Sequence, residues 1–91
     1  MRVSDDMRKQ NAYWVKRRDT WRKHYKALAS EIAFYKNEIR LGDMRGHYDL
    51  VRQMRVALFA LQQRARDMMW TYETVISGML RATAYRYEDA E

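Results

Sequence analysis

The chain has 91 residues, a net charge of +6 from 18 Lys and Arg against 12 Asp and Glu, 47% hydrophobic residues, and neither Cys nor Pro. A chain this short forms one domain at most and buries a marginal core, so self-association is expected. The lack of Cys excludes disulfides, thiolate metal sites and a Cys nucleophile, and the hydrophobic content excludes a disordered tail. The sequence has no apolar run of about 18 residues and no signal-peptide pattern at its N-terminus, which predicts an unexported, cytoplasmic protein.

A long amphipathic helix is predicted at about residues 4–41. Ser4 could cap its start, and Asp5 and Asp6 suit the positive end of the helix dipole. From Met7 onward, two sets of residues recur at intervals of seven and together form the inward-facing seam of the helix. The first set is Met7, Trp14, Trp21, Leu28 and Tyr35, and the second is Asn11, Arg18, Tyr25, Ile32 and Ile39. The opposite face is polar throughout, so the pattern predicts one continuous helix with an apolar seam.

A turn is predicted at about 42–48 and a second helix at about 49–87. Gly42 and Gly46 favour the turn, because glycine commonly follows the last residue of a helix. The second helix shows ten apolar residues at alternating spacings of three and four: Val51, Met54, Leu58, Leu61, Ala65, Met68, Tyr72, Val75, Met79 and Ala82. Its weak point is residues 71–78, where β-branched residues and Gly78 lower helix propensity, but the pattern favours carrying the helix through.

The predicted fold is all-α, with both helices in one domain as an antiparallel, coiled-coil-like hairpin. A turn centred near residue 46 sets Trp21 against Tyr72 and Leu28 against Ala65. Two polar seam residues, Asn11 and Arg18, depart from the pattern. Asn11 either fixes the helix register or marks a loosely packed end that a partner completes, and Arg18 can extend to the edge of the seam.

The strongest functional feature is residues 8–26, which carry eight basic residues against Asp19 and therefore supply a net charge of +7. Residues 27–91 balance at nine basic against nine acidic residues, so the charge is concentrated in the first helix. A row of lysines seven residues apart, with further cations on either flank, predicts a face for an anionic partner. The residues assigned to this face are Arg8, Lys9, Lys16, Arg17, Arg22, Lys23 and Lys26.

A second feature is a group of apolar residues that the heptad pattern places on the outer side of the second helix. A two-helix hairpin cannot cover such residues, and exposed apolar patches commonly mark interfaces. The sequence therefore predicts a homodimer packed as a four-helix bundle, or a groove for another protein. The predicted interface residues are Phe59, Met69, Trp70, Ile76, Leu80 and Tyr87.

No chemistry of catalysis is predicted. His24 and His47 are the only histidines and lack metal-ligand spacing, and the sequence contains no phosphate-binding glycine loop or nucleophile motif. We therefore expect no enzyme activity, cofactor or metal. The apolar face of the basic first helix, which a membrane would contact, is expected to pack against the seam of the second helix. This competition disfavours membrane binding.

The function predicted from these features is non-enzymatic binding of an acidic macromolecule, either nucleic acid or a nucleoprotein complex. Such a protein would act by occupancy, as a blocker or a recruiter. Two alternatives remain open. One is a protein–protein inhibitor or adaptor, of the kind phages and mobile elements encode, that uses the outer face of helix two. The other is a structural subunit of a larger assembly.

Overall fold

The computed structural model describes the backbone of residues 5–89 and the side chains of residues 5–84. The described chain is helical almost throughout, which confirms the all-α prediction. Its elements are α1 (Asp5–Arg45), α2 (Tyr48–Thr71), a π-helical turn (Tyr72–Ile76) and α3 (Ser77–Asp89). None of these described helices combines the length and the apolarity that crossing a membrane requires. The proposed cap Ser4 lies outside the described residues, whereas Asp5 and Asp6 occupy the first turn of α1.

The turn between α1 and α2 is shorter than predicted, because α1 continues to Arg45 and only residues 46 and 47 lie between the helices. Gly46 has a φ of 74°, the left-handed conformation that glycine adopts most readily. Its N–H donates to the Asp43 carbonyl at 3.2 Å, and the His47 N–H donates to the Gly42 carbonyl at 2.9 Å. This pair of bonds is a Schellman motif. Gly46, rather than Gly42, therefore ends the helix.

Gly42 serves a different purpose, since it is helical, buried and packed against α2. A Cβ atom at this position would lie 2.6 Å from Cγ2 of Val51, which is only 2% exposed. Val51 is β-branched and cannot easily rotate away. Glycine at residue 42 therefore allows the two helices to approach closely next to the turn.

Substituting Gly42 and Gly78 with alanine is expected to change stability in opposite directions. Both are helical, so each gains up to about 1 kcal/mol of helix propensity. Overpacking at Gly42 costs about 1–3 kcal/mol and outweighs that gain, whereas a Cβ at Gly78 would meet nothing within 4 Å. In urea denaturation, the free energy of unfolding should be lower than that of the wild type for Gly42→Ala and higher for Gly78→Ala. A stabilised Gly42→Ala variant would contradict the close approach.

The described chain divides into two compact units. The second unit, residues 24–68, is an antiparallel helical hairpin made from the end of α1, the turn and most of α2. Leu28 and Val51 are its buried hydrophobic residues, at 5% and 2% exposure. Burial is concentrated on the predicted seam, which makes one thin layer of contact between two helices.

The first unit pairs the described residues of 1–23 with those of 69–91. Here the predicted pairing of Trp21 with Tyr72 is confirmed, with ring centroids 4.7 Å apart at an interplanar angle of 41°. Asn11 Nδ2 donates to Thr83 Oγ1 at 2.9 Å, and that hydroxyl donates to the Met79 carbonyl at 2.8 Å. Thr83 is 3% exposed, so the polar seam residue Asn11 has a buried partner within the chain. This bond supports the view that Asn11 fixes the register.

The π turn changes which residues face the seam after Tyr72. The Ser77 N–H bonds to the Tyr72 carbonyl five residues earlier, which adds one residue to the turn. The α-helical pattern places Val75, Met79 and Ala82 inward, but all three are exposed. Ile76 and Thr83 are buried instead, each one position later than predicted. The predicted weak point at residues 71–78 is thus a change of helical phase rather than an end.

Candidate anion-binding face

The basic face lies on the first half of α1, opposite the seam. Lys9, Lys16 and Lys23 are seven residues apart, which is two turns and about 10.5 Å along the axis. All three are exposed. They form a straight row because α1 is helical without interruption from Asp5 to Arg45.

Further cations border this row. Arg8 and Arg22 lie on one flank and Arg17 on the other, and all three are exposed. Lys26 is exposed on the same helix, within the hairpin of residues 24–68. Among the described side chains, none of the seven assigned residues takes part in an ion pair or a hydrogen bond. The face therefore holds cations that the described part of the chain does not neutralise.

Arg18 behaves differently from these seven residues. Its Nε lies 3.4 Å from Oδ1 of Asp19, and its side chain is 30% exposed. It therefore extends from the seam to the edge of the helix, as a long cationic side chain can. The single acid of the basic stretch is thereby engaged with the one cation that belongs to the seam.

Tyr13 is a residue of this face that the sequence-based assignment left out. It is 55% exposed and lies one helical turn from Lys9, Lys16 and Arg17. Its ring packs edge-on against half-buried Trp14, with centroids 5.1 Å apart. The spacing to the lysines, rather than the seam pattern, could have identified it. Tyr13 gives the face one aromatic surface among its charges.

The seam holds the basic face in place within the first unit. Trp21 contacts Tyr72 of the π turn, and Asn11 donates a hydrogen bond to Thr83 of α3. These two contacts hold α1 against the returning helix at two levels. A helix held in this way fixes the backbone positions of its lysines before any partner binds. Less conformational entropy is then lost on binding.

The predicted apolar interface is only partly present. Phe59 and Trp70 are 63% and 65% exposed, as expected of outer residues. Met69 and Leu80 are half-buried, and Ile76 is 4% exposed. The prediction that Ile76 lies on the outer face is wrong, because the π turn rotates it into the seam. The side chain of Tyr87 lies outside the described residues.

The second unit contains an open cleft of about 430 Å³ lined by six residues that include His24, Glu31 and Arg64. Within the described part of the chain, no three His, Cys, Asp or Glu side chains are grouped closely enough to hold a metal ion. Comparisons with family models, curated proteins and solved structures find no match. The chemistry of the exposed faces is therefore the basis for assigning a function.

Proposed function

We propose that this protein is a non-enzymatic binding module whose basic helix face docks onto the phosphates of a nucleic acid, free or within a nucleoprotein complex. The observation that carries the proposal is the set of seven exposed cations whose side chains have no ion-pair or hydrogen-bond partner among the described residues. The residues are Arg8, Lys9, Lys16, Arg17, Arg22, Lys23 and Lys26. The protein would act in the cytoplasm by occupancy, blocking or recruiting other factors.

The charge pattern favours a partner over a merely solvated helix surface. Arg22 and Lys26 set like charges one turn apart, which costs about 0.2–0.5 kcal/mol, and a solvated surface usually relieves such pairs with acids. A nucleic acid would replace this repulsion with attraction. Long-range attraction would also speed encounter.

The regular row favours a linear polyanion. Lys9 and Lys23 span about 21 Å along a straight helix, and a nucleic acid presents closely spaced charges along its length. The residues of the row are lysines, which contact phosphate as point charges, and phosphate contacts carry no sequence information directly. Binding through this row would therefore be independent of sequence.

A second candidate function is a protein–protein adaptor or inhibitor, and the exposure of Phe59 and Trp70 favours it. In that case Trp70→Ala should abolish association, while charge reversal in α1 should leave it intact.

Fluorescence anisotropy of labelled duplex and single-stranded DNA and RNA, titrated with the protein, tests the leading proposal. We expect binding at about 50 mM salt that weakens by about 10³-fold or more at 200 mM, as seven phosphate contacts require. Absence of binding at the lower salt concentration would refute it. A pull-down with wild type and Trp70→Ala would then test the protein-partner alternative.

A further inference from the structure

The second unit carries eight basic residues against five acidic ones and distributes them unevenly between its two sides. An ion pair of 3.1 Å between Arg55 and Asp43 joins α2 to α1 and marks one side. The basic residues of the unit at helical spacing from this pair are all exposed. They are Lys26, Lys36, Arg40, Arg52, Arg55 and Arg66, which against Asp43 give this side a net charge of +5.

The other side of the unit carries most of the acids. Arg64 lies nine residues after Arg55, two and a half turns along α2 and therefore on the opposite side, and it lines one cleft together with Glu31. Glu38 lies seven residues after Glu31, and Asp67 lies three residues after Arg64. A hairpin of 45 residues thus has one strongly basic side and one mixed side.

Phe59 lies in the middle of the basic side. It is 63% exposed and lies seven residues from both Arg52 and Arg66, so each arginine is about 10.5 Å away along α2. Across the hairpin, the predicted register brings the exposed Ala33 to the level of residue 60, next to Phe59. The exposure of Phe59 leaves its ring accessible to a flat ligand. The arrangement is an accessible aromatic ring between two cations.

From this arrangement we infer that the side bearing Arg52, Phe59 and Arg66 is a binding site for single-stranded nucleic acid. An unpaired base stacks on the Phe59 ring, and the neighbouring phosphates contact the two arginines. Aromatic rings between cations bind single strands in this way, because every base has a face that stacks. The inference rests on the proposed function for the class of partner, but Arg52, Phe59 and Arg66 are not among the seven residues of the α1 face, and Lys26 alone belongs to both sets.

Two other occupants fit this side less well. In a symmetric dimer the same patch meets itself, so a side with a net charge of +5 would face an identical charge. A duplex keeps its bases stacked on one another, which leaves Phe59 without a base face to contact. The combination of charge and exposed ring therefore selects a single strand.

Phe59→Ala tests the inference when wild type and variant are titrated against a single-stranded oligonucleotide and its duplex. We expect about 5- to 100-fold weaker binding of the single strand, the range for loss of one stacked base, and unchanged duplex binding. Phe34→Ala is the matched control, because Phe34 is 60% exposed on the mixed side and should change neither affinity. Phe59→Trp should retain single-strand binding.

Arginine variants and light scattering complete the experiment. Arg66→Glu should weaken single-strand binding, whereas Arg64→Glu on the mixed side should not. Equal loss for single strand and duplex in Phe59→Ala, or no loss in either, would overturn the inference while leaving the proposed function in place. A fall in molecular mass in Phe59→Ala with unchanged affinity would also overturn it, in favour of self-association. Failure of the wild-type protein to bind any nucleic acid would overturn the proposed function itself.

Discussion

Ile76→Ala is expected to destabilise the protein by about 2–5 kcal/mol, the usual cost of truncating a buried isoleucine. Ile76 is 4% exposed within the π turn, and Thr83 is the other buried residue among the described residues of the first unit. Val75→Ala is the matched control, because Val75 is 40% exposed and should lose no more than about 0.5–1 kcal/mol. An uninterrupted α-helix would place Val75 in the seam, so Val75→Ala would then lose more stability than Ile76→Ala.

Thermal denaturation followed by circular dichroism distinguishes these two arrangements. For a chain of this size, each 1 kcal/mol shifts the melting temperature by about 4–8 °C, so the two variants should separate clearly. A greater loss for Val75→Ala than for Ile76→Ala would show that α2 and α3 form one regular helix. Because an obligate dimer loses stability on dilution, both variants should be compared at one protein concentration.

Charge reversal in the lysine row, Lys16→Glu with Lys23→Glu, is expected to weaken nucleic-acid binding on the order of 50-fold at 0.1 M salt. Each lost phosphate contact removes the gain from releasing one counterion, and two contacts together account for about this factor. Repulsion between the new carboxylates and the phosphates adds to the loss. Circular dichroism should show unchanged helix content, since both positions are exposed.

Arg45→Glu with Arg64→Glu is the control for this variant. Both double variants lower the net charge from +6 to +2, because each reverses two cations. Arg45 and Arg64 are exposed but belong to neither basic face. We expect this control to retain binding within a few-fold. Equal losses in the two variants would mean that net charge alone governs binding and that the lysine row is not a site.

The seam of the first helix and its pairing could be predicted because a seven-residue repeat fixes both the helix type and the inward face. The repeat alone also allowed a shift by one layer, and the turn centred near residue 46 was what placed Trp21 against Tyr72, whose rings are in contact. Asn11 could be recognised as a register-fixing residue, although its partner could not. The π turn displaced that partner by one residue, from Ala82 to Thr83.

Features that depend on local backbone geometry could not be predicted. A π turn has no periodic signature of its own, and its one extra residue moved Ile76 from the predicted outer face into the seam. Both Gly42 and Gly46 suited the end of α1 by sequence. Only the structure shows that Gly46 has the left-handed conformation, while Gly42 lies close to Val51.

The two candidate sites also differ in how far the sequence alone could assign them. The basic face of α1 is contiguous in sequence, so its cations could be assigned by counting charges along one helix. The basic side of the second unit combines residues of α1 and α2, and acids nearby in the sequence offset part of their charge. The ion pair between Asp43 and Arg55 had to be known before these residues could be assigned to one side.

The slope of log affinity for duplex DNA against log salt concentration tests the central claim most directly. If the seven cations of the α1 face contact phosphates, the slope should be about −6, at about −0.9 per contact. Lys16→Ala with Lys23→Ala should make it shallower by about 1.8, since two contacts are removed. A slope near zero, or the same slope in the variant and the wild type, would contradict the assignment of this face to phosphate binding.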